Sequence, residues 1–276
     1  MKIFIAATLI LYIVLSCAAF CSAENYTLGM GISVNTDSSK AGNAQVDATA
    51  AAVVTDDEGQ IIACRLDVAQ NKMDISDATV DREKNFLTKV ELGDDYGMVA
   101  YGAAIAEWYQ QAAAFEQYVL GMTGEEVAAI ETVVNESGHH VSVDETLLAS
   151  CTMSISDFIE AICKACADDQ AAAFPAGSFK LGLACSTTAE ESSDYDEDEE
   201  ENGVVRMYTD FAAAAVAEDG TILAALADSI QPQISYDEDG EITDADFKGS
   251  MRELREGAMP AGRIQAVTAK AANNAK

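Results

Sequence analysis

The chain has 276 residues, of which 16 are Lys or Arg and 47 are Asp or Glu, so that its formal net charge is −31. Hydrophobic residues make up 49% of the chain, which is enough to bury a core and argues against a disordered protein. A field of this sign repels phosphate backbones and anionic lipid surfaces, so the composition excludes nucleic acid as a partner. We expect an acidic globular protein of one or two domains.

The N-terminus has the features of a secretory signal peptide. Lys2 precedes an apolar run over residues 3–15, which is shorter than the roughly 20 residues that span a bilayer. Two processing sites compete: cleavage after Ala23, and a lipobox that would lipidate Cys17. We assign residues 1–23 to the signal. The prediction is an extracytoplasmic protein, secreted or at a bacterial cell surface; in the lipobox alternative it meets a membrane only through a lipid anchor at Cys17.

Two segments of the mature chain are related in sequence. YTLGMGISVNTDSS resembles FKLGLACSTTAEES, and the longer run TDDEGQIIACRLDVAQ resembles AEDGTILAALADSIQ. The alignment pairs Gly59 with Gly220 and Asp67 with Asp228, at a constant offset of 161 residues. A shared offset across a turn and its flanking strands indicates an internal duplication.

Each related segment is predicted to form strands around a tight turn. Acidic turns ending at Gly59 and Gly220 separate runs rich in β-branched residues, as expected for hairpins in which glycine takes a positive φ. Helical spacing follows in the first segment alone. The sequence therefore predicts an α+β fold of two tandem related modules, each an antiparallel sheet with helices, the second copy being incomplete.

Apolar residues at three- and four-residue steps predict two longer helices in the first segment. Their stripes are Ile105, Trp108, Ala112, Phe115 and Val119, and Ile155, Phe158, Ile159, Ile162 and Cys166. Thr123-x-x-Glu126 is a capping box that opens a shorter helix, and Ser154-x-x-Asp157 is predicted to cap the last one.

These patterns give the predicted domain organisation. The signal occupies residues 1–23, the first module residues 24–168, a linker residues 169–178 and the partial second module residues 179–259. Residues 260–276 are a tail that contains basic residues and no acidic one. Because that composition matches neither module, we expect the tail to be poorly packed, as at a truncated gene end.

Several patterns that could carry chemistry have simpler structural interpretations. The acidic run over residues 190–201 is predicted to be a solvated loop, with a weak Ca²⁺ site as the alternative. His139 and His140 belong to a surface loop, and we expect no metal site. Cys163-x-x-Cys166 lies within a predicted helix, which favours a core role over redox chemistry.

The sequence contains neither a Gly-x-Ser-x-Gly elbow nor a glycine-rich phosphate loop. No catalytic residue is therefore assigned. Whether the protein is an enzyme stays open, with an electron carrier or a binding protein favoured over a hydrolase or a transferase.

The segment around Thr152 is the strongest candidate for a site. Thr152, with Ser150 and Ser154 beside it, precedes the last predicted helix of the first module. The free N–H groups and the dipole at a helix N-terminus favour a phosphate there. The alternative is an ordinary hydroxyl-rich start of a helix.

On these residues the chain resembles the FMN-binding domain family, which includes the flavin-bearing peripheral subunits of the Rnf and Nqr electron-transfer complexes. In that family a strand pair around a glycine turn, like the one at Gly59, precedes helices and a Ser-Gly-Ala-Thr-x-Ser motif. Here the corresponding run is Ser150-Cys151-Thr152-Met153-Ser154, in which Ser-Cys stands where the family has Gly-Ala. The resemblance covers residues 26–167.

The resemblance implies a cofactor, a function and partners. Thr152 would carry FMN through a phosphoester, with Ser150 and Ser154 beside the cofactor. The partners would be a flavin transferase and a membrane redox partner, and the function electron transfer by an extracytoplasmic flavoprotein. The alternative is a non-enzymatic cell-surface binding or adhesive module that has the same fold without flavin.

Overall fold

A computed structural model describes residues 25–254 and 261–275. The predicted signal peptide and Cys17 lie outside these residues. Eight α-helices and twelve strands in four antiparallel sheets make up the described part of the chain, which confirms the α+β class. None of the helices described there combines the length and the apolar character needed to cross a membrane.

The strands are numbered in chain order. They are β1 Asn25–Asn35, β2 Asn43–Thr55, β3 Ile61–Asp74, β4 Thr132–Val134, β5 His140–Ser142, β6 Ala172–Pro175, β7 Lys180–Thr188, β8 Gly203–Arg206, β9 Tyr208–Val216, β10 Ile222–Ile230, β11 Gln233–Tyr236 and β12 Ile242–Asp246. The helices are α1 Lys89–Leu92, α2 Met98–Gly102, α3 Trp108–Tyr118, α4 Gly124–Ala128, α5 Glu145–Leu148, α6 Ser156–Cys166, α7 Met251–Leu254 and α8 Ala261–Asn274.

Two sheets form the centre of the molecule. The first has the order β3-β2-β1-β6 and the second has the order β10-β9-β7. Their inner faces share one apolar core, to which both sheets contribute alternate residues of their strands. The outer face of the first sheet packs against α3 and α6, and that of the second sheet packs against α8. The result is a four-layer arrangement of helix, sheet, sheet and helix.

The alternation of side chains in β1 and β7 explains these layers. In β1, Leu28 and Met30 face the shared core, whereas Gly29 lies under the backbone of α6. In β7, Leu181 faces the same core, and Gly182 lies under the backbone of α8. Successive residues of a strand point to opposite faces of the sheet. The apolar residue therefore faces the other sheet, and the glycine that follows it lets a helix approach closely on the opposite face.

The predicted linker over residues 169–178 is not a linker. Residues Ala172–Pro175 form β6, which pairs antiparallel with β1 and completes the first sheet. Phe174 is buried and makes edge-to-face contacts with Tyr26 and Phe179, so it ties the end of the first sheet to the start of β7. The sequence did not predict this strand, because Pro175 and Gly177 are typical of a loop. Its pairing partner β1 lies far away in the chain.

The prediction of a poorly packed C-terminal tail is wrong. Residues Ala261–Asn274 form α8, which covers β7 and β9 as α6 covers β1 and β2. Val267 and Ala271 are buried in the apolar layer beneath it. Its basic residues are used: Arg263 pairs with Asp210, and Lys270 pairs with Glu91 at 2.7 Å. The acidic body of the protein therefore explains why this helix is basic.

The two halves share further features that the duplication hypothesis accounts for. The registers in the two sheets keep the offset of 161 residues throughout, since Ala50 pairs with Asp67 and Phe211 pairs with Asp228. Both hairpins contain a bulge at the same place, and Gly59 and Gly220 have φ values of 78° and 88°. Among the described residues the second half has no counterpart of residues 93–155, and we call this additional segment of the first half, with α2 to α5 and the β4–β5 hairpin, the insertion.

Asp67 and Asp228 hold equivalent short helices. Asp67 Oδ1 accepts a hydrogen bond from the N–H of Val90 in α1 (3.2 Å), and Asp228 Oδ1 accepts one from the N–H of Arg252 in α7 (3.0 Å). Both aspartates are buried. Burial raises the pKa of Asp67 to about 6, although the hydrogen bonds from Thr88 and Val90 oppose that shift.

The two halves are joined by a reciprocal exchange of ion pairs. Lys164 of α6 pairs with Glu253 of α7 at 3.2 Å, and Lys270 of α8 pairs with Glu91 of α1 at 2.7 Å. Each outer helix therefore contacts the short helix of the other half. The halves are interlocked and do not sit side by side as separate modules.

Candidate functional site

The three hydroxyl residues predicted to form the site lie in different surroundings. Ser150 is exposed, and its hydroxyl donates to the carbonyl of Leu147 (3.2 Å). The N–H and the hydroxyl of Thr152 both donate to Oε1 of the buried Gln111, at 2.9 and 3.3 Å. Thr152 is thus attached to α3, and Ser154 alone of the three lines a cavity.

The predicted cap of α6 by Ser154 is wrong. The N-cap residue is Ile155, which provides no side-chain hydrogen bond, and the Ser154 hydroxyl lies 3.3 Å from that of Ser156. The N–H of Ile155 donates to the carbonyl of His140 (3.0 Å), so the β4–β5 hairpin fixes the chain one residue before the helix. This long-range contact moves the helix start beyond the serine.

The cavity beside Ser154 has a volume of about 440 Å³, which is within the range of small-molecule sites. It lies between β2 and β3 of the first sheet, α1, and the starts of α3 and α6. We call it the α6 cavity. Its lining residues are Asn35, Ser38, Asp47, Thr49, Val68, Gln70, Lys89, Tyr96, Met98, Trp108, His139, Met153, Ser154, Asp157 and Phe158.

One side of the α6 cavity is aromatic. Trp108 and Phe158 make an edge-to-face contact at 5.8 Å between ring centroids. The ammonium of Lys89 lies 5.0 Å from the ring centroid of Tyr96 and 5.6 Å from that of Trp108. Both distances are within the range of cation–π attraction, so this side of the cavity accommodates a positive charge.

Asp47, which lines the cavity, has one carboxylate oxygen without a hydrogen-bond donor in the described part of the chain. Oδ2 of Asp47 accepts a hydrogen bond from the Gln45 amide (2.7 Å), whereas its buried Oδ1 has no hydrogen-bond partner among the described residues. Buried carboxylate oxygens are normally satisfied, and one that is not needs an explanation. Because Oδ1 has almost no exposed surface, a ligand with an N–H or O–H group would supply the missing donor after a small rotation of the carboxylate.

A second carboxyl group, that of Asp157, lies in the first turn of α6. Desolvation raises its pKa, repulsion from Glu160 and Asp47 adds to the rise, and Lys89 opposes it. The cavity therefore contains two carboxyl groups and one ammonium group. Its polar side carries more negative than positive charge.

The equivalent place in the second half is filled by the chain itself. The offset of 161 residues makes Asp210 the counterpart of Thr49, and Ser229 that of Val68. Arg263 of α8 reaches both: its Nε donates to Asp210 (2.6 Å), and its Nη2 donates to Ser229 Oγ (3.4 Å). A guanidinium group thus occupies in one half the region that the other half leaves as a cavity.

The insertion of the first half builds part of the cavity wall and supplies six of its fifteen lining residues, Ser154 among them. Tyr96, Met98, Trp108, His139 and Met153 all belong to residues 93–155, for which the second half has no counterpart. Sequence reasoning missed Asp47, Lys89 and Trp108 as site residues. The available signal was the segment of residues 93–155, which is present in the first half alone.

The other candidate patterns keep structural roles. The acidic run is anchored at its start and not a fully solvated loop: Asp194 pairs with Arg82 at 2.9 Å and accepts from the N–H of Val80 at 2.9 Å. Burial raises the pKa of Cys166 to about 11, so this thiol stays protonated. Across residues 25–254 and 261–275, no group of three or more His, Cys, Asp or Glu side chains could hold a metal ion.

In comparisons with known proteins, no family model matches the chain, and neither a curated protein nor a solved structure matches it. The function must therefore be argued from the α6 cavity and its residues.

Proposed function

We propose that the protein is an extracytoplasmic, non-enzymatic binding module that takes a small organic molecule in the α6 cavity. The observation that carries the proposal is the difference between the halves. Arg263 fills the region beside Asp210 in the second half, while the same region of the first half is an aromatic-lined cavity. Close packing is the normal state of a protein interior, so an open region that an additional segment helps to enclose favours a ligand.

The polar groups of the cavity support binding and not catalysis. The Ser154 hydroxyl contacts the Ser156 hydroxyl, which is not a base that could activate it. The unsatisfied Oδ1 of Asp47 and the rings of Trp108 and Tyr96 are groups that orient and hold a ligand.

Trp108 gives a direct test, because it is the one tryptophan of the chain and lines the cavity. Riboflavin, n-butylamine and agmatine should be titrated while tryptophan emission and thermal stability are measured. A ligand in the cavity should change the emission saturably and raise the Tm.

Ser154→Phe provides the blocking variant, since the added ring would project into the cavity that Ser154 lines. Ser150→Phe is the matched control, because Ser150 is exposed and lies outside the cavity. Binding that survives Ser154→Phe, or that is lost equally in Ser150→Phe, would contradict the proposed site.

A second candidate function, which the family resemblance implies, is electron transfer by a covalently attached flavin. It is favoured by the position of the motif, since Met153 and Ser154 line the aromatic cavity directly after Thr152. A net charge of −31 opposes reversible capture of an anionic phosphate, so FMN would be held as a phosphoester on Thr152. The flavin would supply one- and two-electron chemistry, and the cavity residues would bind and orient its ring.

Coexpression with a flavin transferase tests this candidate. Flavin fluorescence should stay with the protein on a denaturing gel, and peptide mass analysis should find it on the peptide that contains Thr152. Thr152→Val should abolish the signal, while Thr146→Val, at an exposed position on the same segment, should keep it. Flavin that is released on denaturation, or that persists in Thr152→Val, would rule out this attachment.

A further inference from the structure

The charges in the α6 cavity indicate which class of molecule it binds. Asp47 and Asp157 line it, and Lys89 is the ammonium that faces them from α1. The Lys89 ammonium lies over the rings of Tyr96 and Trp108. The protein thus uses one of its few cations to occupy the aromatic side of this cavity.

In the second half, a side chain of the protein itself occupies the region that corresponds to the α6 cavity. Arg263 inserts a guanidinium group there, and Asp210 accepts hydrogen bonds from two of its nitrogen atoms. In the first half, the carboxylate of Asp47 lines the cavity with Oδ1 unsatisfied. Both halves therefore combine a carboxylate with a place for a nitrogen cation, but in the first half the carboxylate oxygen lacks its N–H donor.

We propose that the ligand of the α6 cavity is a small organic cation with N–H donors, such as a primary amine or a guanidinium compound. Its charged group pairs with the carboxylate of Asp47, which turns to present Oδ1, and lies against the faces of Tyr96 and Trp108, where it displaces the Lys89 ammonium into solvent. Lys89 is free to move because its stem is flexible. The inference rests on the proposed binding function and names its ligand class.

The field of the whole molecule acts in the same direction. A net charge of −31 raises the local concentration of cations and speeds their association. It disfavours an anionic ligand at the same site. This long-range contribution falls with ionic strength, whereas the contacts with Asp47 and the rings persist.

The test compares cationic and neutral probes on the full chain by Trp108 emission. We expect n-butylamine and agmatine to give saturable changes, n-butanol to give none, and sodium chloride at matched ionic strength to give none. Asp47→Asn should weaken amine binding about tenfold, because a charge-assisted hydrogen bond becomes a neutral one. Asp57→Asn, with the same charge change in an exposed turn, should leave the affinity nearly unchanged.

Lys89→Met is the most discriminating variant, because it removes the ammonium group that competes with the ligand for the faces of Tyr96 and Trp108. Amine binding should become tighter in this variant. Lys72→Met makes the same charge change at an exposed position of β3 and should have little effect. Circular dichroism and urea unfolding of each variant confirm that it is folded.

The possible outcomes separate this inference from the binding function. If riboflavin changes the Trp108 emission, Ser154→Phe abolishes that change and the amines have no effect, the cation proposal is overturned and the binding module stands. Weaker amine binding in Lys89→Met would also overturn it. If Ser154→Phe affects no probe, both proposals fail.

Discussion

Gly182 in β7 lies so close to Ala271 in α8 that a Cβ at position 182 would overlap the Ala271 carbonyl oxygen. Gly29 in β1 has the same relationship with Ala165 in α6. Both outer helices therefore approach their sheets at a distance that only glycine permits. The C-terminal helix is held as tightly as its counterpart in the first half.

Gly182→Ala should therefore destabilise the protein. The added methyl group meets backbone atoms that cannot rotate away, and overpacking of this kind costs about 1–3 kcal/mol. Urea unfolding would measure the loss, and limited proteolysis should show that residues 261–275 become accessible. Gly177→Ala is the control, because its Cβ would meet no atom within 4 Å. Equal stability of the two variants would mean that α8 does not pack as described.

Asp67→Asn should stabilise the protein increasingly as the pH rises. The pKa of Asp67 is about 6 in the folded protein, above its ordinary value, so the neutral form is favoured by folding. That contribution is complete at pH values below the ordinary pKa and is lost as the pH rises through 6. Ionisation of the native Asp67 therefore costs about 3 kcal/mol at most above that pH.

The asparagine keeps an acceptor for the N–H groups of Val68 and Val90 and does not ionise. Unfolding free energies of both proteins at pH 5 and pH 8 would reveal the difference. Asp219→Asn, in an exposed turn, should show no such gain at high pH. A stabilisation of Asp67→Asn that is independent of pH would contradict this account.

Arg263→Met should cost about 2 kcal/mol, because it leaves the nearly buried Asp210 without its counter-charge. Arg263 is about one-third exposed, which places the loss below that of a fully buried pair. The exposed pair of Lys248 and Asp246 offers a control, and Lys248→Met should change the stability by less than about 0.5 kcal/mol. Adding Asp210→Asn to Arg263→Met should recover part of the loss, and no recovery would show that the pair does not act through charge.

Gln111→Met should destabilise the protein by about 3 kcal/mol. The amide of Gln111 donates to the carbonyl of Ala106 (2.8 Å) and accepts from the N–H of Thr152 (2.9 Å), and methionine leaves both backbone groups unsatisfied. Gln117→Met on the exposed side of the same helix is the matched control. Hydrogen exchange at the Thr152 amide should rise in Gln111→Met alone, and an unchanged exchange rate would contradict the attachment of this segment to α3.

Patterns that are local in sequence determined much of this protein. The glycine turns at Gly59 and Gly220 and the apolar stripe of α6 follow from residues near one another in the chain, and the offset from Asp67 to Asp228 follows from comparing two such local patterns. They fixed the α+β class and the position of the main hairpins and helices, because dihedral preferences and periodicity act over a few residues.

The tertiary structure alone decided how these parts combine. Arg263 and Asp210 are 53 residues apart, and Lys270 reaches Glu91 in the other half, so the composition of the C-terminal segment could not show that its charges are paired. The same holds for the α6 cavity, where Asp47, Lys89 and Trp108 meet from three different elements. Burial, pairing and the absence of a donor for one carboxylate oxygen are properties of distances in space, which sequence spacing does not specify.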